Sequence, residues 1–215
     1  VADPLERLKT AGLAYADFAM KHPNHYRLMF MTPHPPHDPA ESAIEVGNRE
    51  RDLVFFDLGS GALANYTGLM LPVTAATKVF LTHLHADHIG DMPTMVWSMA
   101  KAGRRDLVEV WGPAGETPEL GTRAYTEHLA AAHVWDMSSL RGHPGQSGAR
   151  METTEVPWDR TATVYDRNGV QVSSFPVIHI INGAVGYRLD YNGRSVVFSG
   201  DTLFRLSIGR TDLWG

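Results

Sequence analysis

The chain has 215 residues, is 43% hydrophobic, carries a formal net charge of -5 and contains no cysteine. That length suits one core with an appendage; without cysteine, disulfides, thiolate metal sites and cysteine nucleophiles are excluded, so any metal must be held by His and carboxylate. Lys and Arg are scattered, so nucleic acid is not the favoured partner, and no segment reaches the roughly 18–20 apolar residues of a membrane helix or shows a signal pattern, which makes a cytoplasmic protein the expectation.

From Asp3 to about Met31 the apolar residues Leu5, Leu8, Leu13, Phe18, Leu28 and Phe30 recur at helical spacing, predicting one or two helices with Pro23 opening the second. Thr32 to Pro39 has four prolines in eight residues and reads as a linker. The period then changes. Ala43–Val46 and Leu53–Phe56 read as short strands about Gly47-Asn48, and Asp57-Leu58-Gly59-Ser60-Gly61 as a Gly-rich loop. Lys78 to Thr82 reads as a buried strand, followed by a helix capped by Asp91 with Pro93 in its first turn and an end near Gly103. A strand at 107–111, a helix at 120–132 and a loop at 138–148 come next, and then strands at 164–166, 170–175, 184–190 and 195–198, with hairpin turns at Asn168-Gly169 and Asn192-Gly193. Such an order suits a layered α/β sandwich.

The chemistry concentrates after the strand at 78–82. In His83-Leu84-His85-Ala86-Asp87-His88, three imidazoles and a carboxylate fall within six positions of a chain that has 11 histidines, about twice an ordinary share. A loop at a strand end turns successive side chains to different sides, so His83 and His85 can converge on one metal while Asp87 and His88 converge on a second. Imidazole and carboxylate donors of this kind suit zinc. Four residues cannot complete two sites. His179 and Asp201 each end a later apolar strand in the same manner, the first as a further ligand and the second as a carboxylate able to bridge two cations. Asp57 ends an earlier strand, where it can hold the His-rich loop in shape by accepting its hydrogen bonds. Solvated loop positions account for His22, His25, His34 and His37, and core packing for Trp97, Trp135 and Trp158.

The segments Phe56 to Gly61, Thr82 to Gly90, His179 followed by Gly186-Tyr187-Arg188, and Ser199-Gly200-Asp201-Thr202 together resemble the ordered motifs of the metallo-β-lactamase superfamily. Over about residues 43–201 the similarity is to its branch containing ribonuclease Z and arylsulfatase-type hydrolases. The resemblance implies an αββα sandwich, with His83, His85 and His179 on a first zinc, Asp87 and His88 on a second, and Asp201 bridging. It also implies a metal-dependent hydrolase in which hydroxide held between the metals cleaves an ester of the phosphodiester or sulfate class. Asp201 and Asp87 would orient that hydroxide or relay its proton. A small-molecule ester is the expected substrate, and a homodimer is one assembly open to the chain.

The family pattern supplies one more second-site histidine after the bridging Asp, whereas 202–215 contain none and His128, His133 and His143 are poor substitutes. The second site is therefore expected to be incomplete and the domain, placed at 43–215, truncated at its C-terminus. The tail from Gly200 to Leu213 is similar to glyoxalase II, which makes thioester hydrolysis the alternative activity. Residues 3–39 resemble the C-terminal domain of TetR-type regulators, setting 1–42 apart as a short helical segment with its linker. The composite fits a fusion, a misassembled or designed sequence, or a fragment, and the rival to an enzyme is a non-catalytic metal-binding remnant or regulator piece.

Overall fold

A computed structural model describes residues 53–69, 71–204 and 207–208. The chain divides into Val1–Asn48 and Arg49–Gly215, and every described residue lies in the second unit. The expectations for the N-terminal helices, the proline-rich linker, the strand at 43–46 and the histidines at 22, 25, 34 and 37 fall outside the described residues.

Four parallel strands form the first sheet: β1 (Val54–Phe56), β2 (Lys78–Phe80), β3 (Val108–Pro113) and β4 (Met151–Val156), in the order β1-β2-β3-β4. Parallel neighbours require crossovers. These are supplied by helix α1 (Ala62–Gly68), by a four-residue turn α2 (Ala86–Ile89) followed by a helix α3 built from π-wound Thr94–Ser98 and α-helical Met99–Lys101, and by α4 (Thr122–Ala132) with α5 (Val134–Ser139). The second sheet is an antiparallel meander of β5 (Ala162–Arg167), β6 (Val170–Pro176), β7 (Val185–Tyr191) and β8 (Arg194–Phe198). A two-stranded ribbon, β9 (Leu203–Phe204) with β10 (Ser207–Ile208), follows.

Strand periodicity assigns the faces of the first sheet. Val79, Val108 and Val110 join Leu63, Tyr66, Met95, Val96 and Trp97 in the core under the helices, while Phe80 and Trp111 turn to the other side and meet Tyr165, Val172, Val185 and Tyr187 of the meander. Between the sheets Phe56 stacks on Phe198 with centroids 3.8 Å apart and Phe80 on Trp111 at 4.6 Å. Helix, parallel sheet and antiparallel sheet are thus three layers of an α/β sandwich. Among the described residues no helix is long and apolar enough to cross a membrane.

Both predicted hairpin turns are present. Asn168 and Gly169, like Asn192 and Gly193, have positive φ at both positions, the twist that a two-residue turn between antiparallel strands requires. Other expectations need correction. Asp91 precedes the predicted helix, but its carboxylate accepts hydrogen bonds from the Gly61 and Leu63 amides at 3.0 and 2.9 Å, so it caps α1 from some 30 residues away. Part of the predicted loop at 138–148 belongs to α5 and to a 3-10 turn, Gln146–Gly148. Trp97 is buried and stacks on the His133 ring, and Trp158 packs against the inter-sheet core, but Trp135 is 87% exposed on α5. Buried Arg104 donates to the carbonyls of Ala76, Val96 and Gly148, joining α3 to two loops.

Candidate metal centre

Three strand ends meet at one edge of the sandwich. Beyond β2 the chain is anchored by the Leu81 amide, which donates to Trp111 O, and by its carbonyl, which accepts the buried Tyr187 hydroxyl at 2.9 Å. The loop after β6 is held to the same place, since the Val185 amide donates to Thr82 O at 2.9 Å. The turn Gly200–Thr202 follows β8, and there the Thr202 hydroxyl donates to Ile178 O at 3.4 Å. His83 and His85, His179 and Asp201 are delivered by these three segments.

Their donor atoms face one another. His83 Nε2 lies 3.0 Å from His85 Nδ1, and His179 Nε2 lies 3.1 Å from that same His85 nitrogen. Asp201 Oδ2 stands 4.0 Å from His179 Nε2, and its Oδ1 stands 3.1 Å from His88 Nε2. Asp87 Oδ2 is 3.8 Å from His88 Nε2. Two groups able to hold a metal result: His83, His85, His179 and Asp201, then Asp87, His88 and Asp201. All six predicted donors are therefore brought together, and Asp201 belongs to both groups. The nitrogen separations are close to the roughly 3.3 Å expected of two ligands on one tetrahedral zinc at about 2.0–2.1 Å each. Imidazoles with a shared carboxylate fit such an ion. His128, His133 and His143 bond instead to the local backbone, outside both groups.

Asp57 sits behind this cluster. Its Oδ1 accepts the Thr82 amide at 2.7 Å, and its Oδ2 accepts the Thr82 hydroxyl and His88 Nδ1, each at 2.8 Å. The Thr82 hydroxyl has one proton and gives it to Asp57, so toward His83 Nδ1, 3.0 Å away, it can only accept. His83 therefore carries its proton on Nδ1 and presents a bare Nε2 to the cluster. His88 is oriented in the same sense by Asp57 directly. Asp57 adopts φ 60°, a conformation that Asp and Asn tolerate better than most residues. Gly59 lets this loop press against the next, since a Cβ there would overlap Asp87 O; the Leu58 amide donates to His88 O at 2.7 Å.

The electrostatics divide the histidines. Burial, with His88, His179 and His85 adding, pushes the His83 imidazole down to about 3. Burial and the neighbouring His85 also lower His179, although Asp201 opposes them. At His88 burial acts the same way, but the hydrogen bond and charge of Asp57, with Asp201 and Asp87, outweigh it and raise the pKa.

Sequence reasoning missed Thr82 as the link between Asp57 and His83, and Tyr187 as the brace beneath the loop. Both lie inside segments singled out for their motifs. No periodicity shows that the threonine hydroxyl faces inward, and only the register of β7 brings Tyr187 under Leu81.

Residues 57–210 match the model of a β-lactamase superfamily domain, and residues 8–86 that of the C-terminal domain of tetracyclin repressor-like proteins. The second match runs past the 3–39 segment into β1 and β2. Ribonuclease Z of Mycobacterium marinum is 29% identical over 155 residues, covering 68% of this chain and 52% of the relative. Ribonuclease Z of Methanosarcina acetivorans is 32% identical over 90 residues, 42% of this chain and 28% of the relative. The short form of human tRNase Z shares the fold with TM-score 0.51 and 19% identity, over 77% of this chain and 62% of that one. The chain spans about half the length of the mycobacterial ribonucleases Z that it matches. These relatives are ribonucleases, which runs against the expectation from charge that nucleic acid is not the favoured partner.

Proposed function

This chain belongs to the β-lactamase superfamily, and on that premise we propose that it is a metal-dependent hydrolase that cleaves an ester bond of the phosphodiester class. One carboxylate carries the reading: Asp201 turns one oxygen to His88 and the other to His179, so it touches both donor groups. His83 Nε2, His85 Nδ1, His179 Nε2 and Asp201 Oδ2 would hold one zinc ion, and Asp87 Oδ2, His88 Nε2 and Asp201 Oδ1 a second. The pair would supply Lewis acidity and water acidified to about neutral pH.

The chain's own residues do the rest. Asp201, fixed between the two histidines, orients the water for attack on phosphorus. Asp87, 79% exposed at the side chain, takes the water's proton at its carboxylate and passes it to solvent, while the P–O bond to the leaving oxygen breaks and that oxygen takes up a proton from solvent. Asp57 and Thr82 keep the His83 and His88 rings turned so that their Nε2 atoms stay available. The ribonuclease Z names of the relatives support phosphodiester over sulfate ester as the scissile class. The thioester alternative rests on the glyoxalase II-like tail from Gly200 to Leu213, much of which lies outside the described residues. The same reading assigns the hydrolase to 43–215 and sets 1–42 apart as a regulator-like segment.

Zinc-loaded protein should hydrolyse bis(4-nitrophenyl) phosphate faster than 4-nitrophenyl sulfate or a thioester, and His85→Ala should abolish turnover together with metal at the first group. Preference for the thioester would transfer the chain to the alternative activity. No turnover on any of the three, with one tightly bound metal per chain, would identify a metal-binding remnant.

A further inference from the structure

We infer that the cleft beside the first donor group selects a small apolar substituent on the ester, so that the substrate is a compact organic phosphodiester bearing an aryl or branched alkyl group rather than a polynucleotide. This rests on the phosphodiester reading and adds what must flank the scissile bond.

The cleft has a volume of about 290 Å³, just below the roughly 300–1,000 Å³ usual for ligand sites. Its floor is His83, His85 and His179, and its walls are largely apolar, with Leu84, Pro113, Leu120 and Ile181 prominent. Leu120 and Ile181 stand 45% and 59% exposed. Large apolar side chains left in water beside a cluster of metal donors gain from an occupant that covers them.

Charge argues in the same direction. Among the described residues neither Lys nor Arg lines the cleft, whereas Glu119 does. The Glu119 carboxyl is held below its ordinary range by its own backbone amide and by the Thr117 hydroxyl, so it stands ionised at the mouth. Arg123, three positions beyond Leu120, is turned away: its guanidinium donates to Thr153 O at 3.2 Å and faces Glu155 at 3.8 Å. A polynucleotide needs cationic side chains along its phosphates. Here it would meet hydrocarbon and a carboxylate.

The walls are also built in place. Gly183, at φ 121°, approaches so near the 112–121 loop that a Cβ on it would lie 3.3 Å from Gly115 Cα. Asn182 Nδ2 donates to Glu116 Oε1 at 3.2 Å, and the Leu120 amide donates to Thr117 O at 3.0 Å. Two loops from different sheets are thereby pinned together, one carrying Leu120 and the other Ile181 to the cleft.

Calorimetry on the zinc-loaded protein with diphenyl phosphate, dimethyl phosphate and a short single-stranded RNA tests this. Diphenyl phosphate should bind at least about tenfold more tightly than dimethyl phosphate, since both are monoanionic diesters and differ chiefly in apolar surface. The double variant Leu120→Ser, Ile181→Ser should lose that preference while keeping its zinc content and its affinity for dimethyl phosphate. Equal binding of the two diesters, binding of neither, a preference that survives in the double variant, or tighter binding of the RNA would each overturn the inference. Failure of the hydrolase reading looks different: diphenyl phosphate would bind through Leu120 and Ile181, yet no diester would be turned over.

Discussion

The two donor groups share Asp201 and draw on one six-residue motif, yet they are built to different standards. The first gathers four donors from three segments that the sheets hold together, with His83 buried and nitrogens 3.0 and 3.1 Å apart. The second has three donors among the described residues, one of them the 79% exposed Asp87. Their histidines differ as well, for His83 stays neutral down to about 3 while His88 holds its proton more strongly than an ordinary imidazole. A metal entering the first group meets lone pairs already presented, whereas one entering the second competes with a proton that His88 holds more strongly than usual and takes an exposed ligand. Motif spacing therefore sets which residues meet, and the burial supplied by the sheets sets how well they bind.

The largest effect that separates the groups is expected from Asp87→Ala. It removes a direct donor from the second group and leaves the first untouched, so zinc titration should fall from two sites to one, with the tighter site unchanged. Loss of both sites together would show that the groups are not separable. Asp57→Asn should act on both. Asparagine tolerates the φ of 60°, so the backbone is retained, but the side chain cannot accept from Thr82 and from His88 as the carboxylate does. Affinity should drop roughly 10- to 100-fold at each site, the usual cost of losing an outer hydrogen-bond partner of a metal ligand. Circular dichroism should confirm an unchanged fold.

Most of this edge was legible in the sequence because its signals are local. An apolar run ending in a His or Asp marks a donor at a strand end, and Asn-Gly pairs mark the hairpins. What escaped depends on distant partners. Strand β4, Met-Glu-Thr-Thr-Glu-Val, has a single buried residue, Val156, and lies at the sheet edge, so it shows no apolar run. Helix α1 has no capping side chain of its own and takes Asp91 instead. Trp135 reads as core by residue type, yet α5 leaves it in solvent. At the candidate metal centre the side chains that meet could be read off, but the tautomers could not, because they follow from a hydroxyl shared between Asp57 and His83.

That hydroxyl gives the finest test of the comparison. Thr82→Val keeps the β-branched shape that packs near Gly200, so the loop should stay in place. It removes the acceptor of His83 Nδ1 and one of the bonds to Asp57, while the direct Asp57 bond to His88 at 2.8 Å remains. The His83 ring is then free to carry its proton on either nitrogen, and the tautomer with Nε2 bare becomes one of two. The first site should weaken by about tenfold, the low end of the range for outer partners, and the second should change less. The difference between the two shifts is the quantity to measure, by competition of each site against a calibrated zinc chelator. Equal weakening of both sites would mean that Thr82 acts through Asp57 alone, whereas a shift confined to the first site would place it on a separate branch serving His83.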